Sequence, residues 1–297
     1  MRPGFVAIAV IVAAGLLAGC GGGGGDTETS KAVPVDAPEM KVTLDQPLDA
    51  ANVAVEMGVD RGYFTDVGLN IWQASPELPR RPVTYVTVGA AEFGLTQQPQ
   101  VALAKKKGAP LDVMGSLIPE PTAAMIWLSK SKIKGIADLD GKTIAVPGIP
   151  YQERLLEKVL AKAGLKLEDV EVKRVAYDLV PVLLEGKADA IFGGTWNIEG
   201  IALRERGAKP VIRRVQELGA PSYDELVVIT RSDRAAKEPR TIRNFVSALG
   251  RAVAAVKSDP EAAVQLIEES DPTLSHREIE AQVRATIPLL STPGEEP

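Results

Sequence analysis

The sequence predicts an α/β protein of two hinged lobes, and three observations carry that expectation. Short β-branched runs alternate with amphipathic stretches of helical period along most of the chain, the pattern of strands joined by helices in mostly parallel sheets. A second alternation of this kind begins near Thr122 before the first is complete. The apolar run Leu226–Thr230 then resumes the first. The chain should therefore pass twice between the halves, and two passages make a hinge. The expected division is residues 40–119 and 219–297 for one lobe and 120–218 for the other. A ligand belongs in the crevice between them, at strand C-termini and helix N-termini where free N–H groups point outward.

In order, Lys41–Leu44 reads as a strand and about Ala50 to Arg61 as a helix stopped by Gly62, with Asn70–Trp72 the next strand. Val86–Val88 and Glu92–Leu95 resemble a strand-to-helix junction, Pro99 suits the first turn of a helix to Lys107, and Leu111–Leu117 is a strand. In the second unit Ala123–Leu128 and Thr143–Val146 read as strands, and Pro147–Pro150 is a tight loop entering a helix from Tyr151 to Ala163. Val170–Val175 and Ala188–Phe192 supply further strands around a helix at Leu179–Glu185. Beyond Thr230 the chain reads as helical, over Thr241–Ser258, Pro260–Ser270 and His276–Ile287. Charges such as Arg277, Glu278 and Glu280 mark solvated faces there.

The first residues carry Arg2, an apolar run from Phe5 to Ala18, and then Leu17-Ala18-Gly19-Cys20. This is the pattern of a lipoprotein signal peptide over residues 1–19, with Cys20 the lipidated residue. The run is shorter than the ~20 residues a spanning helix needs. Gly21–Gly25 and Asp26–Ser30 are too flexible and polar to join a core, so residues 20–39 read as a tether. Cys20 is the only cysteine among 297 residues, which excludes an internal disulfide and a thiolate metal cluster. Without residues 1–19 the chain has 33 basic and 39 acidic side chains, a surface that argues against nucleic acid as a partner.

Three segments then resemble one family. Gly62-Tyr63-Phe64 with Gly68-Leu69, Gly89–Gly94, and Asp138–Ala145 resemble the solute-binding family for nitrate, sulfonates, taurine and thiamine precursors. Gln97–Gln100, Trp196–Gly200 and Gly219–Leu226 resemble more narrowly its thiamine-precursor binders, whose ligand is hydroxymethylpyrimidine or its formylamino form. The resemblance implies a type II periplasmic-binding-protein fold, a monomer that captures a small ligand and delivers it to an ABC permease and its ATPase on the extracytoplasmic side of the membrane, with no cofactor or metal and no catalysis. That subgroup opens with Asp-Trp-x-Pro-Asn and a histidine three residues later, where this chain has Gln46, Asp49 and Asn52 in place of the Trp, Asn and His. Those three are carried over as pocket positions, and the exchange of aromatic and imidazole for amide and carboxylate leaves riboflavin, a cytosine-like base, a sulfonate or nitrate as alternative ligands. A fungal pyrimidine synthase shares the resemblance, but it uses a histidine, a lysine and a cysteine-rich motif. Here the histidine position is Asn52, the only histidine is His276, and the only cysteine is Cys20. A ligand-free scaffold lipoprotein is the remaining alternative.

A planar heterocycle needs aromatic faces and a few fixed donors and acceptors. Trp196, after Gly193-Gly194-Thr195 at a strand end, is the stacking candidate, with a core position the alternative. Glu199 lies one turn on and is placed to accept from an amine, or else is solvated. Gly148, Ile149 and Tyr151 sit at a helix N-terminus, Thr96 and Gln97 at the matching junction of the first lobe, and Tyr223 and Asp224 where the chain returns. Trp72 and Trp127 read as packing residues, and Lys105–Lys107 as a solvated helix end.

Overall fold

The structure is a computed structural model that describes residues 39–74 and 81–294. The expected signal peptide, Cys20 and all of the tether except Glu39 lie outside the described residues. The chain first runs β1 (Glu39–Thr43), α1 (Ala54–Asp60), β2 (Asn70–Ala74), α2 (Arg81–Thr87), β3 (Phe93–Thr96), α3 (Gln98–Lys106) and β4 (Leu111–Ile118). It continues through β5 (Ala123–Leu128), β6 (Thr143–Val146), α4 (Pro150–Lys162), β7 (Glu171–Arg174), α5 (Leu179–Leu184), β8 (Ala190–Thr195), α6 (Glu199–Glu205) and β9 (Pro210–Arg214). It closes with β10 (Leu226–Arg231) and the helices α7 (Ser232–Lys237), α8 (Pro239–Ser258), α9 (Pro260–Ser270) and α10 (His276–Thr286).

Two five-stranded sheets result, ordered β2-β1-β3-β10-β4 and β7-β6-β8-β5-β9. The chain leaves the first sheet after Ile118, enters the second at Ala123, leaves it after Arg214 and re-enters the first at Leu226. In each sheet four strands run one way, as the sequence expectation of mostly parallel sheets has it, and one strand runs against them. β10 runs antiparallel to both β3 and β4, and β5 antiparallel to both β8 and β9. A parallel neighbour needs a crossover helix within its own sheet, whereas β5 and β10 each arrive from the other sheet and are free of that constraint.

The strands form where the apolar pattern predicts. β5 is buried along its whole length, as its unbroken Ala-Ala-Met-Ile-Trp-Leu run requires for a strand between two others. α8 buries Phe245, Leu249, Val253 and Val256, a stripe at helical spacing. Phe245 stacks between Phe93 and Phe64, with ring centroids 3.9 and 5.2 Å away, which ties that helix to β3 and to the turn that follows α1. Gly62 ends the α1 turn with φ +68°, a conformation that favours glycine. Trp127 is fully buried and Trp72 is 44% exposed.

Three local expectations are corrected. Val86 and Thr87 are the last turn of α2, not a strand, because Val86 buries one side of that turn against the sheet. β9 escaped detection as a short strand at the sheet edge, beginning with Pro210 and ending on Arg213 and Arg214. Glu278 is buried rather than solvated, because Arg206 pairs with it through two hydrogen bonds of 3.0 Å.

Candidate functional site

Between the two sheets lies a small, partly open cavity of about 50 Å³, a few waters' worth. Its walls come from three places. The loop after β1 contributes Asp45 and Gln46, and the junction between β3 and α3 contributes Gln97. From the second-sheet side come Ile149 and Gln152 at the start of α4, Tyr177 before α5, and Asn197 and Glu199 after β8. The two passages between the sheets add Thr122 and Glu225. No lysine, arginine or histidine is among the lining residues.

Three carboxyl groups therefore face one small space without a facing cation. Burial pushes the Asp45 carboxyl up to about 7, a shift opposed by a hydrogen bond from Asn52 and augmented by the charge of Glu225. Burial likewise raises Glu199 and Glu225 above the ordinary carboxylate range. Asp45 is held by Asn52 Nδ2 at 3.5 Å and Gln97 Nε2 at 3.2 Å. Glu199 accepts from the Thr195 N–H at 2.6 Å and from the Thr195 hydroxyl at 3.0 Å. Glu225 accepts through one oxygen, Oε2, from the N–H groups of Thr122 (2.7 Å) and Ala123 (3.2 Å) and from the Tyr223 hydroxyl at 3.5 Å. A residue of the returning passage thus grips the outgoing one, and Gln216 Nε2 adds a second tie to the Pro121 carbonyl at 2.6 Å.

Two amide oxygens on the wall, Gln152 Oε1 and Asn197 Oδ1, are buried without a hydrogen-bond partner. Such groups are costly to leave unmade, so the cavity is rich in acceptors that ask for donors. Gln152 is fixed by its Nε2 donating to the Gly193 carbonyl at 3.2 Å. It lies so close to Gly193, at φ +89°, that a Cβ there would overlap the Gln152 amide. Gly193→Ala is therefore expected to displace Gln152 and to lower both the melting temperature and ligand affinity, the affinity by about tenfold or more, as thermal melts and calorimetry will show. Ala176, with φ +49°, is the one positive-φ residue other than glycine among the described residues, and it turns Tyr177 over the cavity. The Tyr177 hydroxyl donates to the Asp45 carbonyl at 3.3 Å, bridging the two sides of the cleft.

The residues expected from sequence fall into two groups. Gln46, Gln97, Ile149 and Glu199 line the cavity. Asp49 and Asn52 stand one layer behind it. Asp49 caps the turn before α1, accepting from the Ala51 N–H at 2.8 Å and from the Gln46 side chain, and burial raises its carboxyl well above the usual range. Asn52 is fully buried and spends its Nδ2 on Asp45 and on the Gln46 and Pro47 carbonyls. Thr96 is buried beneath Gln100, which donates to its hydroxyl at 3.1 Å. Gly148 faces Arg174, and Tyr151 packs edge-on against Tyr223 with centroids 5.8 Å apart, all three off the cavity wall. Asp224 turns to the other side, where its backbone exchanges bonds with Gln98. Trp196, the expected stacking residue, is not on the wall either. Its ring lies under the Arg214 guanidinium, 4.1 Å from the centroid, because the backbone after β8 aims Thr195 and Asn197 inward and the residue between them outward. Asp45, Thr122, Gln152, Tyr177, Asn197 and Glu225 line the cavity without having been singled out by the sequence.

Two mixed sheets flanked by helices, with the chain crossing twice between them and a polar cavity where it crosses, define the class by its fold. The alkanesulfonate-binding protein SsuA from Xanthomonas axonopodis pv. citri superposes with a TM-score of 0.70 over 90% of this chain and 88% of that one, at 18% sequence identity, which shows the periplasmic-binding-protein-like fold. The chain belongs to the NMT1/THI5-like family, whose pattern matches residues 52–263. The formylaminopyrimidine-binding protein of Halalkalibacterium halodurans is 28% identical over 264 residues, 89% of this chain and 78% of that protein. The 4-amino-5-hydroxymethyl-2-methylpyrimidine phosphate synthase of Schizosaccharomyces pombe is 25% identical, over 67% of this chain and 60% of that one. Among the described residues no helix is long and apolar enough to cross a membrane.

Proposed function

We propose that this protein is the extracytoplasmic solute-binding component of an ABC importer, held to the membrane by lipidated Cys20, and that it captures an amino-substituted pyrimidine of the thiamine-precursor type. The observation that carries the ligand class is the cavity wall: three carboxyl groups, two unpartnered amide oxygens and no facing cation. An exocyclic amine and a protonated ring nitrogen offer the N–H donors this wall asks for, and a positive ring meets the charge of Asp45. A sulfonate or nitrate would bring negative charge against the same carboxyl groups. The name of the Halalkalibacterium halodurans relative points to the same ligand class.

Residues 40–119 and 219–297 act as one lobe and 120–218 as the other, hinged at the passages that Glu225 ties together. A cavity of this volume admits a ring only if the lobes part, so binding proceeds by opening, entry and closure, and the ligand's preference for the closed form drives the last step. Catalysis is not part of this reading. The synthase resemblance calls for a histidine, a lysine and cysteines, and the cavity wall is lined by none of these.

The test is a thermal-shift and calorimetric comparison of 4-amino-5-hydroxymethyl-2-methylpyrimidine, its formylamino counterpart and an alkanesulfonate. At 100 times the dissociation constant a ligand adds about 2.7 kcal/mol of stability. Stabilisation by the pyrimidines alone is the expected result. Stabilisation by the sulfonate alone overturns the ligand class, and product formed from a pyridoxal phosphate and iron mixture overturns the non-enzymatic reading.

A further inference from the structure

Besides the two chain passages and the Tyr177 bridge to the Asp45 carbonyl, one face of α10 ties the side of the cleft carrying the second sheet to the rest. Glu278, Gln282 and Thr286 recur every four residues along that helix, so they share a face, and all three are buried. Each meets the turn that leads into α6 or the residue that ends it. Thr286 Oγ1 accepts from Asn197 Nδ2 at 2.8 Å, Gln282 Nε2 donates to the Ile198 carbonyl at 3.4 Å, and Glu278 takes the Arg206 guanidinium through two bonds of 3.0 Å. Arg277 and Glu205 extend the row with an ion pair of 2.6 Å. On its other side α10 is anchored to the core of the first sheet through Ile279 and Val283. Asn197 and Ile198, which this row holds, are themselves cavity wall.

The chemistry of the row suits a joint that opens. Apolar side chains at such a contact would be exposed at full cost each time the lobes parted, whereas amide, hydroxyl and ionic groups exchange their partners for water at a small net loss. We infer that this polar face of α10 is a clasp for the closed form, and that Glu278, Gln282 and Thr286 are positioning residues that set ligand affinity without touching the ligand. The inference rests on the cavity being the ligand site; the clasp itself has a readout that needs no ligand.

The experiment compares wild type with Glu278→Ala and with Thr286→Val, which keeps side-chain shape and removes the acceptor for Asn197. Small-angle scattering of the ligand-free proteins is expected to give a larger radius of gyration for each variant. Stopped-flow binding of 4-amino-5-hydroxymethyl-2-methylpyrimidine is expected to show a dissociation rate about tenfold faster, equivalent to ~1.4 kcal/mol, with the association rate changed far less. Exchanging the charges, Arg206→Glu together with Glu278→Arg, should restore wild-type values. Variants whose radius and dissociation rate match wild type overturn the clasp, whatever their melting temperature. A wild type that ignores the pyrimidine sinks the ligand assignment, and the scattering comparison then decides the clasp by itself.

Discussion

Asp45→Asn is expected to raise the dissociation constant for the aminopyrimidine by about 100-fold, ~3 kcal/mol, while leaving the ligand-free protein at pH 8 as stable as wild type or more so. Both halves follow from one geometry. Asp45 lies on the wall with two amide donors, from Asn52 and Gln97, that fix the carboxyl without neutralising it. The charge is therefore available to a ligand N–H, and a charge-assisted hydrogen bond in a desolvated site is worth about 1.5–3 kcal/mol. In the free protein the same charge is a burden, since burial, with the charge of Glu225 adding to it, drives the carboxyl up to about 7 against its hydrogen bonds. Asparagine keeps the shape and an acceptor oxygen and removes the buried charge, so stability is retained as binding is lost. Calorimetry with parallel melts at pH 8 checks both. Unchanged affinity would remove Asp45 from the site, and lost stability would make it a structural residue.

The architecture was largely legible because its signals are periodic. The fully apolar β5, the amphipathic α8 and the proline-led α3 and α4 each declare themselves within one segment. What periodicity cannot report is which sheet neighbour a strand takes, and so the antiparallel placement of β5 and β10 was missed. Part of the cavity wall was legible to within a residue. Glu225 adjoins the expected Asp224, Gln152 adjoins Tyr151, and Asn197 adjoins Trp196; in each pair the neighbour lines the cavity. Extended backbone alternates its side chains, and a helix turns by about 100° per residue. A one-residue error in phase therefore turns a wall residue into a packing residue. Chemistry misled in the same direction, because a tryptophan invites a stacking role that the Arg214 guanidinium already fills. Tyr177 had no sequence signal, since its position depends on the left-handed backbone of Ala176.

Raising the pH from 4 to 8 is expected to destabilise the ligand-free protein, and the cationic ligand to offset much of that loss. The folded protein holds the Asp45 proton up to about 7, whereas the unfolded chain releases it near 3.8. Between those values the native state binds more protons than the unfolded state, so stability is fully present below the lower value and declines as pH rises through the upper one. For Asp45 alone the shift corresponds to about 4 kcal/mol. Asp49, Glu199 and Glu225 are raised in the same sense by burial, and they steepen the decline. Among the described residues their donors are neutral amides, hydroxyls and backbone N–H groups, and no cation lines the cavity to offset the cost as the carboxyl groups ionise. A positively charged pyrimidine would supply that missing charge and expel protons as it binds. Affinity should therefore increase with pH across the window in which the free protein weakens, until the ligand itself deprotonates. Chemical denaturation at a series of pH values, with calorimetry in buffers of different ionisation enthalpy to count protons released, measures both slopes. In Asp45→Asn both should flatten; a wild-type protein whose stability climbs from pH 4 to 8 would mean that these carboxyl groups are ionised and solvated, and that the cavity is open to water.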